Sequence, residues 1–154
     1  MFIRHAGKTK ILWFEGDTAR EVRNGSLVGF SDSATVVPLR NDSTDVPIGV
    51  ARRNDTTTDS ADVPVEVPVE DWVEWEVDTD SDGGLVDSDI GQNVAIDTTG
   101  GASVNAGDSA ATRIDRDDVT FPTVRIVDRL SATRAIVVLV KRASTLIPDT
   151  GSIT

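Results

Sequence analysis

The chain has 154 residues, 38% of them apolar, and a formal net charge of −11 from 26 acidic and 15 basic side chains. That length holds one domain with a real core, and the apolar share is too high for a disordered acidic tail. The absence of cysteine excludes disulfides and thiolate metal sites, the acidic balance argues against nucleic acid as a partner, and the longest apolar stretch, Ala135 to Val140, is far shorter than the roughly 20 residues of a membrane helix.

Met1 to Phe14 gathers Phe2, Ile3, Ile11, Leu12, Trp13 and Phe14 with His5, Lys8 and Lys10. An apolar, locally basic segment on an acidic chain reads as an extended N-terminal arm over residues 1–20 that needs somewhere to bury itself. Short apolar runs with period two or in buried-strand blocks then follow one another. The expected strands are Lys8 to Phe14, Ser26 to Phe30, Thr35 to Leu39, Val46 to Ala51, Val63 to Val69, Trp72 to Val77, Asn93 to Ile96, Val124 to Val127 and Ala135 to Val140. Turn formers separate them: Asn24-Gly25, Asn41-Asp42-Ser43, Asp80 to Gly84, Thr99 to Gly101 and Ala106 to Asp108. Val63, Val65, Val67 and Val69 alternate with Pro64, Glu66, Pro68 and Glu70, so the valines line one face, and two prolines in one strand place it on a sheet edge. Trp72 and Trp75 read as core or rim packing, with a ligand-stacking platform as the alternative. Helix is confined to short pieces such as Ala110 to Asp117, and Ala143 to Thr154 is a polar tail. The expectation is a small antiparallel β-barrel or β-sandwich over residues 21–142, between the N-terminal arm and a C-terminal tail at 143–154.

Catalytic chemistry finds no foothold. His5 is the only histidine, and the chain has no G-x-S-x-G turn, so neither a zinc constellation nor a serine hydrolase is indicated, and no enzyme activity is expected. One loop merits attention: Asp78, Asp80 and Asp82 stand at positions 1, 3 and 5, Gly83 at 6 and Asp89 at 12, the order in which hard Ca²⁺ ions find oxygens around a sharp turn. The segment entering it reads as a strand rather than a helix, and Asp at position 12 reaches less far than Glu. An acidic turn loop without a cofactor is therefore the preferred reading, and Ca²⁺ the alternative.

The acid is almost all aspartate, 20 Asp against 6 Glu, and the base almost all arginine, 12 Arg against 3 Lys. Short aspartates hold water and cations while burying little alkyl stem, and self-repulsion fades at molar salt, where the Debye length is about 3 Å. The bias resembles that of haloarchaeal proteins.

Asn24 to Phe30, Val36 to Leu39 and Val46 to Ala51, followed by the valine-alternating Asp62 to Val67 and by Gly91 to Gly101, resemble the capsid decoration, or cement, proteins of tailed viruses. The resemblance runs from about Gly25 to Lys141. It implies an all-β virion protein on the capsid exterior, made in the host cytoplasm, that binds across major capsid protein subunits as a homo-trimer at three-fold positions. It brings no active-site residues, no nucleic acid and no membrane. Adhesion of this kind fits the apolar N-terminal segment, with Phe2, Ile3, Trp13 and Phe14 as the expected contacts. The alternative function is a carbohydrate- or cell-surface-binding β-module, calcium-dependent through the aspartate loop, with Trp72 and Trp75 as its platform.

Overall fold

The computed structural model describes residues 1–17, 22–31, 34–40, 46–55, 62–80, 83–97, 103–105, 108–109 and 112–140. Its strands are β1 (Ile3–Ala6), β2 (Thr9–Glu15), β3 (Leu27–Phe30), β4 (Val36–Pro38), β5 (Gly49–Ala51), β6 (Asp62–Pro68) and β7 (Glu74–Thr79). They continue as β8 (Asn93–Asp97), β9 (Ser103–Asn105), β10 (Asp108–Ser109), β11 (Arg113–Asp115), β12 (Val124–Ser131) and β13 (Arg134–Leu139), with a 3-10 turn at Asp87–Asp89. The protein is all-β, and each of the nine expected strands is present with shifted ends. Residues 143–154 lie outside the described set. So do 110 and 111, but the rest of the expected helix is settled: Arg113–Asp115 is a strand. Its single apolar residue, Ile114, gives no helical stripe, and Asp115 Oδ1 accepts the N–H groups of Asp117 at 3.0 Å and Asp118 at 3.2 Å, closing a turn where a helix would have to continue.

The first sheet closes into a barrel. β7 pairs with β13 from Glu74 to Asp78 on one side and, on the other, with β1 from Glu74 to Glu76 and with β11 at Asp78 and Thr79. From β11 the ladder continues through β8 and β12 to β13, which returns it to β7. Two register shifts in β12 supply local bends of the kind that closure of a narrow barrel requires. Period-two alternation fills it: Trp75 and Val77 of β7, Val94 and Ile96 of β8, Ile114, Val124, Ile126, Ala135 and Val137 all turn inward.

The second sheet has the order β2-β6-β5-β3-β4, and Gly16, just past β2, bridges Val36 of β4 so that its two ends meet. Val63, Val65 and Val67 point into its concave face with Val28, Val36, Ile48 and Ala51, as the alternation implied. Leu27 and Val50 point the other way and join the barrel core. The position of β6 differs from expectation: it is flanked by β2 and β5, not at an edge. The physical reason is parity. The N–H of Val69 donates to Lys8 O, so odd residues of β6 bond to β2, while the N–H of Arg52 donates to Pro64 O, so even residues face β5. Because β5 pairs only Val50 and Ala51 with Glu66 and Val65, Pro68 falls beyond that short ladder, and Pro64 stands at its last rung, where its C=O accepts from Arg52 and only the return bond is forgone.

The N-terminal segment is extended, but it is no detached arm. β1 belongs to the barrel sheet and β2 pairs with β6 through seven consecutive residues, from Thr9 opposite Pro68 to Glu15 opposite Asp62. Between them Gly7, at φ +95°, passes so close to the chain at Trp72 that a Cβ would lie 2.7 Å from the Trp72 carbonyl oxygen. Phe2 is fully buried in the barrel core.

Candidate adhesion surface

The same alternation that folds residues 1–17 sorts their apolar side chains into two sets. Even residues of β2 turn inward: Leu12 and Phe14 pack on the second core, with the Phe14 ring edge-on to Phe30 at 5.2 Å. Odd residues turn outward, leaving Trp13 60% and Ile11 46% exposed, and Ile3 on β1 is 42% exposed. Of the four expected contacts, Ile3 and Trp13 are therefore available at the surface. Phe2 is sealed in the barrel core, which corrects its expected place at the surface, and Phe14 is half-buried against the second core. Reading the segment as one apolar cluster concealed this split. Ile11, which shares the parity of Trp13, was the residue missed, and period two was the signal that finds it.

Basic side chains border this strand on both faces, Lys10 by parity on the face opposite Ile11 and Trp13. Lys8 and Lys10 are exposed, and the guanidinium of Arg53 lies 5.8 Å from the centre of the Trp13 ring while donating from Nη2 to Asp62 O. Beneath it, Glu66 is nearly buried. Its Oε2 accepts from Arg52 Nε at 2.6 Å, its Oε1 accepts from the Thr9 hydroxyl at 2.7 Å, and Arg4 Nε stands at 3.6 Å. Arg52 also donates from Nη1 to Phe2 O at 3.0 Å and lies over the Trp75 ring, so one ion pair ties β1, β2, β6 and the barrel together.

His5, the lone histidine, sits on β1 with Nδ1 2.9 Å from Glu76 Oε1 on β7. That hydrogen bond, with Arg134 3.3 Å from the other oxygen, holds the Glu76 carboxyl below its ordinary value of 4.5. A depressed carboxylate stabilises the fold fully above its unfolded value. The tether is thus complete above about pH 4.5 and is lost as the pH falls through the depressed value.

The aspartate loop is occupied by arginine. Asp78 lies 3.5 Å from Arg134, and Asp89 Oδ2 accepts the Val86 N–H at 2.8 Å and stands 3.4 Å from Arg116. Arg129 Nε donates to Asp87 at 2.8 Å and its Nη1 to Leu85 O at 3.3 Å. Asp80 donates its backbone N–H to Ile114 O at 2.9 Å, and Asp82 lies outside the described residues. Among the described residues no three histidine or carboxylate groups come together around a point that could hold a metal ion.

The two-indole platform is not assembled. Trp72 is 56% exposed, but Trp75 is fully buried under Arg52. A shallow recess lined by Pro68, Glu70, Asp71, Val73, Trp75 and Leu139 has a cavity volume of about 10 Å³, far short of the roughly 300–1,000 Å³ of small-molecule pockets. No protein family, curated protein or solved structure matches the chain.

Proposed function

We propose that this chain is a structural virion protein of a tailed virus infecting a halophilic archaeon, bound to the outside of an icosahedral shell and stabilising contacts between major capsid protein subunits. The observation that carries the reading is the exposure of Trp13 and Ile11 on a regular strand of an otherwise acidic, aspartate-rich chain. Exposed indole anchors on rigid strands suit protein contact, since they bury much area at little entropic cost. In brine such adhesion relies on apolar contact and hydrogen bonds, because exposed ion pairs are screened. Replacing Trp13 by Ala together with Ile11 by Ser is expected to leave the fold intact and to weaken shell binding by about 30-fold, a loss of about 2 kcal/mol. Co-sedimentation of the folded variant with undecorated shells checks it. Unchanged occupancy would remove this surface from the function.

The halophilic part has its own test. With a net charge of −11, stability should rise steadily from low salt to molar KCl as self-repulsion is screened. Thermal melts across that range decide it, and a flat or falling Tm would place the protein elsewhere.

A further inference from the structure

Parity fixes which backbone groups of β2 are spoken for. Val69 N–H donates to Lys8 O, so Lys8, Lys10, Leu12 and Phe14 direct their N–H and C=O groups toward β6, and Thr9, Ile11, Trp13 and Glu15 direct theirs the opposite way. On that opposite side the far end is used: Gly16 bridges Val36, and Asp17 N–H donates to Val36 O at 3.2 Å. Thr9, Ile11 and Trp13 meet no strand there among the described residues. They form a straight row of donors and acceptors about 14 Å long, at about 3.4 Å per residue. The ladder beneath it runs without a bulge and β2 contains no proline, so the devices that usually blunt an edge are absent except for Lys10.

We propose that this free edge of β2 is a docking site for an extended segment of alternating apolar and acidic residues supplied by a different protein chain. Charge selects the acid: Lys8 and Lys10 are exposed along the strand, and on the face of Ile11 and Trp13 the Arg53 guanidinium stacks on Trp13, so an added strand meets a cation on either face. The strand already on the other edge shows the chemistry that β2 accepts. β6 sets valines between Asp62 and Glu66, Glu66 accepts the Thr9 hydroxyl, and Glu70 just beyond accepts the Lys8 N–H at 2.7 Å. A second copy fits less well. Matching odd residues with odd residues places Ile11 against Trp13 and Lys10 against Phe14, so no acid meets the lysines, and the −11 charge is doubled. Strand addition draws affinity from the main-chain bonds and selectivity from alternate side chains. The inference rests on the adhesive reading of this surface but not on a shell as target, and peptide binding and shell binding are measured separately so that either can fail alone.

The probe is a labelled synthetic peptide copying Asp62–Pro68 with both prolines replaced by threonine, beside a version with lysine in place of both acids. Fluorescence anisotropy with the full-length chain should show the acidic peptide binding at least about tenfold more tightly than the basic one. Ile11→Pro should remain folded, because its N–H points away from β6, and should lose the peptide. Leu12→Pro, whose N–H points into β6, should lower the Tm sharply and so checks the parity itself. Trp13→Glu, on a well exposed site, should weaken the acidic peptide about tenfold even if Ile11→Pro fails to fold. No binding, equal binding of the two peptides, or full binding by a folded Ile11→Pro overturns the proposal. A dimer that Ile11→Pro dissolves and the peptide does not displace gives the edge to a second copy and overturns it equally.

Discussion

Deleting residues 1–14 is expected to abolish cooperative folding rather than release a trimmed β domain. The deletion removes Phe2 from the barrel core, leaves the β7 edge unpaired from Glu74 to Glu76 and strips β6 of a seven-residue partner. Burying a phenylalanine is worth about 3–5 kcal/mol when truncation to alanine is measured, and a domain of this size has only about 5–15 kcal/mol in total. Losing two strands with it exceeds the margin. Point variants separate the two sets of side chains within the segment: Phe2→Ala should cost about 3–5 kcal/mol, whereas Trp13→Ala should stay within about 0.5 kcal/mol. Urea denaturation of each variant, and circular dichroism of the truncated chain, check this. A truncated protein with a single sharp unfolding transition would show that residues 1–14 are dispensable after all.

That expectation reverses what the segment alone suggests, and the reversal shows where the chain is legible. Strand existence was plain in the period-two runs, because alternation of valines such as Val63, Val65 and Val67 has one meaning in a turn-rich chain. Pairing was not, since register depends on which partner arrives. Ile3–Ala6 contains one aliphatic residue besides alanine, and nothing local marks it as a strand; β7 makes it one by offering an open edge. The prolines of β6 misled for the same reason. Pro64 and Pro68 announce missing donors, but only the partner strand decides what they cost: β5 is three residues long, so Pro68 lies past its end and Pro64 forgoes a single bond at its last rung. In the surface, Trp13 stood out by its size, while Ile11 became visible only once parity separated it from Leu12 and Phe14. The aspartate loop could be read for its oxygens but not for the arginines that occupy them, Arg116 just past β11, Arg129 of β12 and Arg134 of β13.

Glu66 is the residue whose loss should be felt most after the N-terminal core. Its carboxylate is nearly buried between the two sheets, with Arg52 Nε at 2.6 Å and the Thr9 hydroxyl at 2.7 Å, and Arg52 in turn holds Phe2 O and covers Trp75. Glu66→Ala leaves that guanidinium without its counter-charge at the junction of β1, β2, β6 and the barrel. Removing one partner of a buried pair costs about 3–5 kcal/mol, and since the Arg52 side chain is 22% exposed water recovers part of this, so a loss of about 2–4 kcal/mol is expected. Replacing both partners, Arg52→Met with Glu66→Leu, should recover most of it, because the cost lies in the stranded charge and not in the absence of the pair. Salt distinguishes this site from the acidic exterior. Molar KCl should raise the stability of wild type and variants alike while leaving the difference between wild type and Glu66→Ala nearly unchanged, as buried pairs are screened far less than exposed ones. Urea melts of the three proteins at low and molar salt measure both quantities. A Glu66→Ala deficit that disappears in molar KCl, or a double variant no more stable than the single one, would mean that the junction is held by packing and that the ion pair is incidental to it.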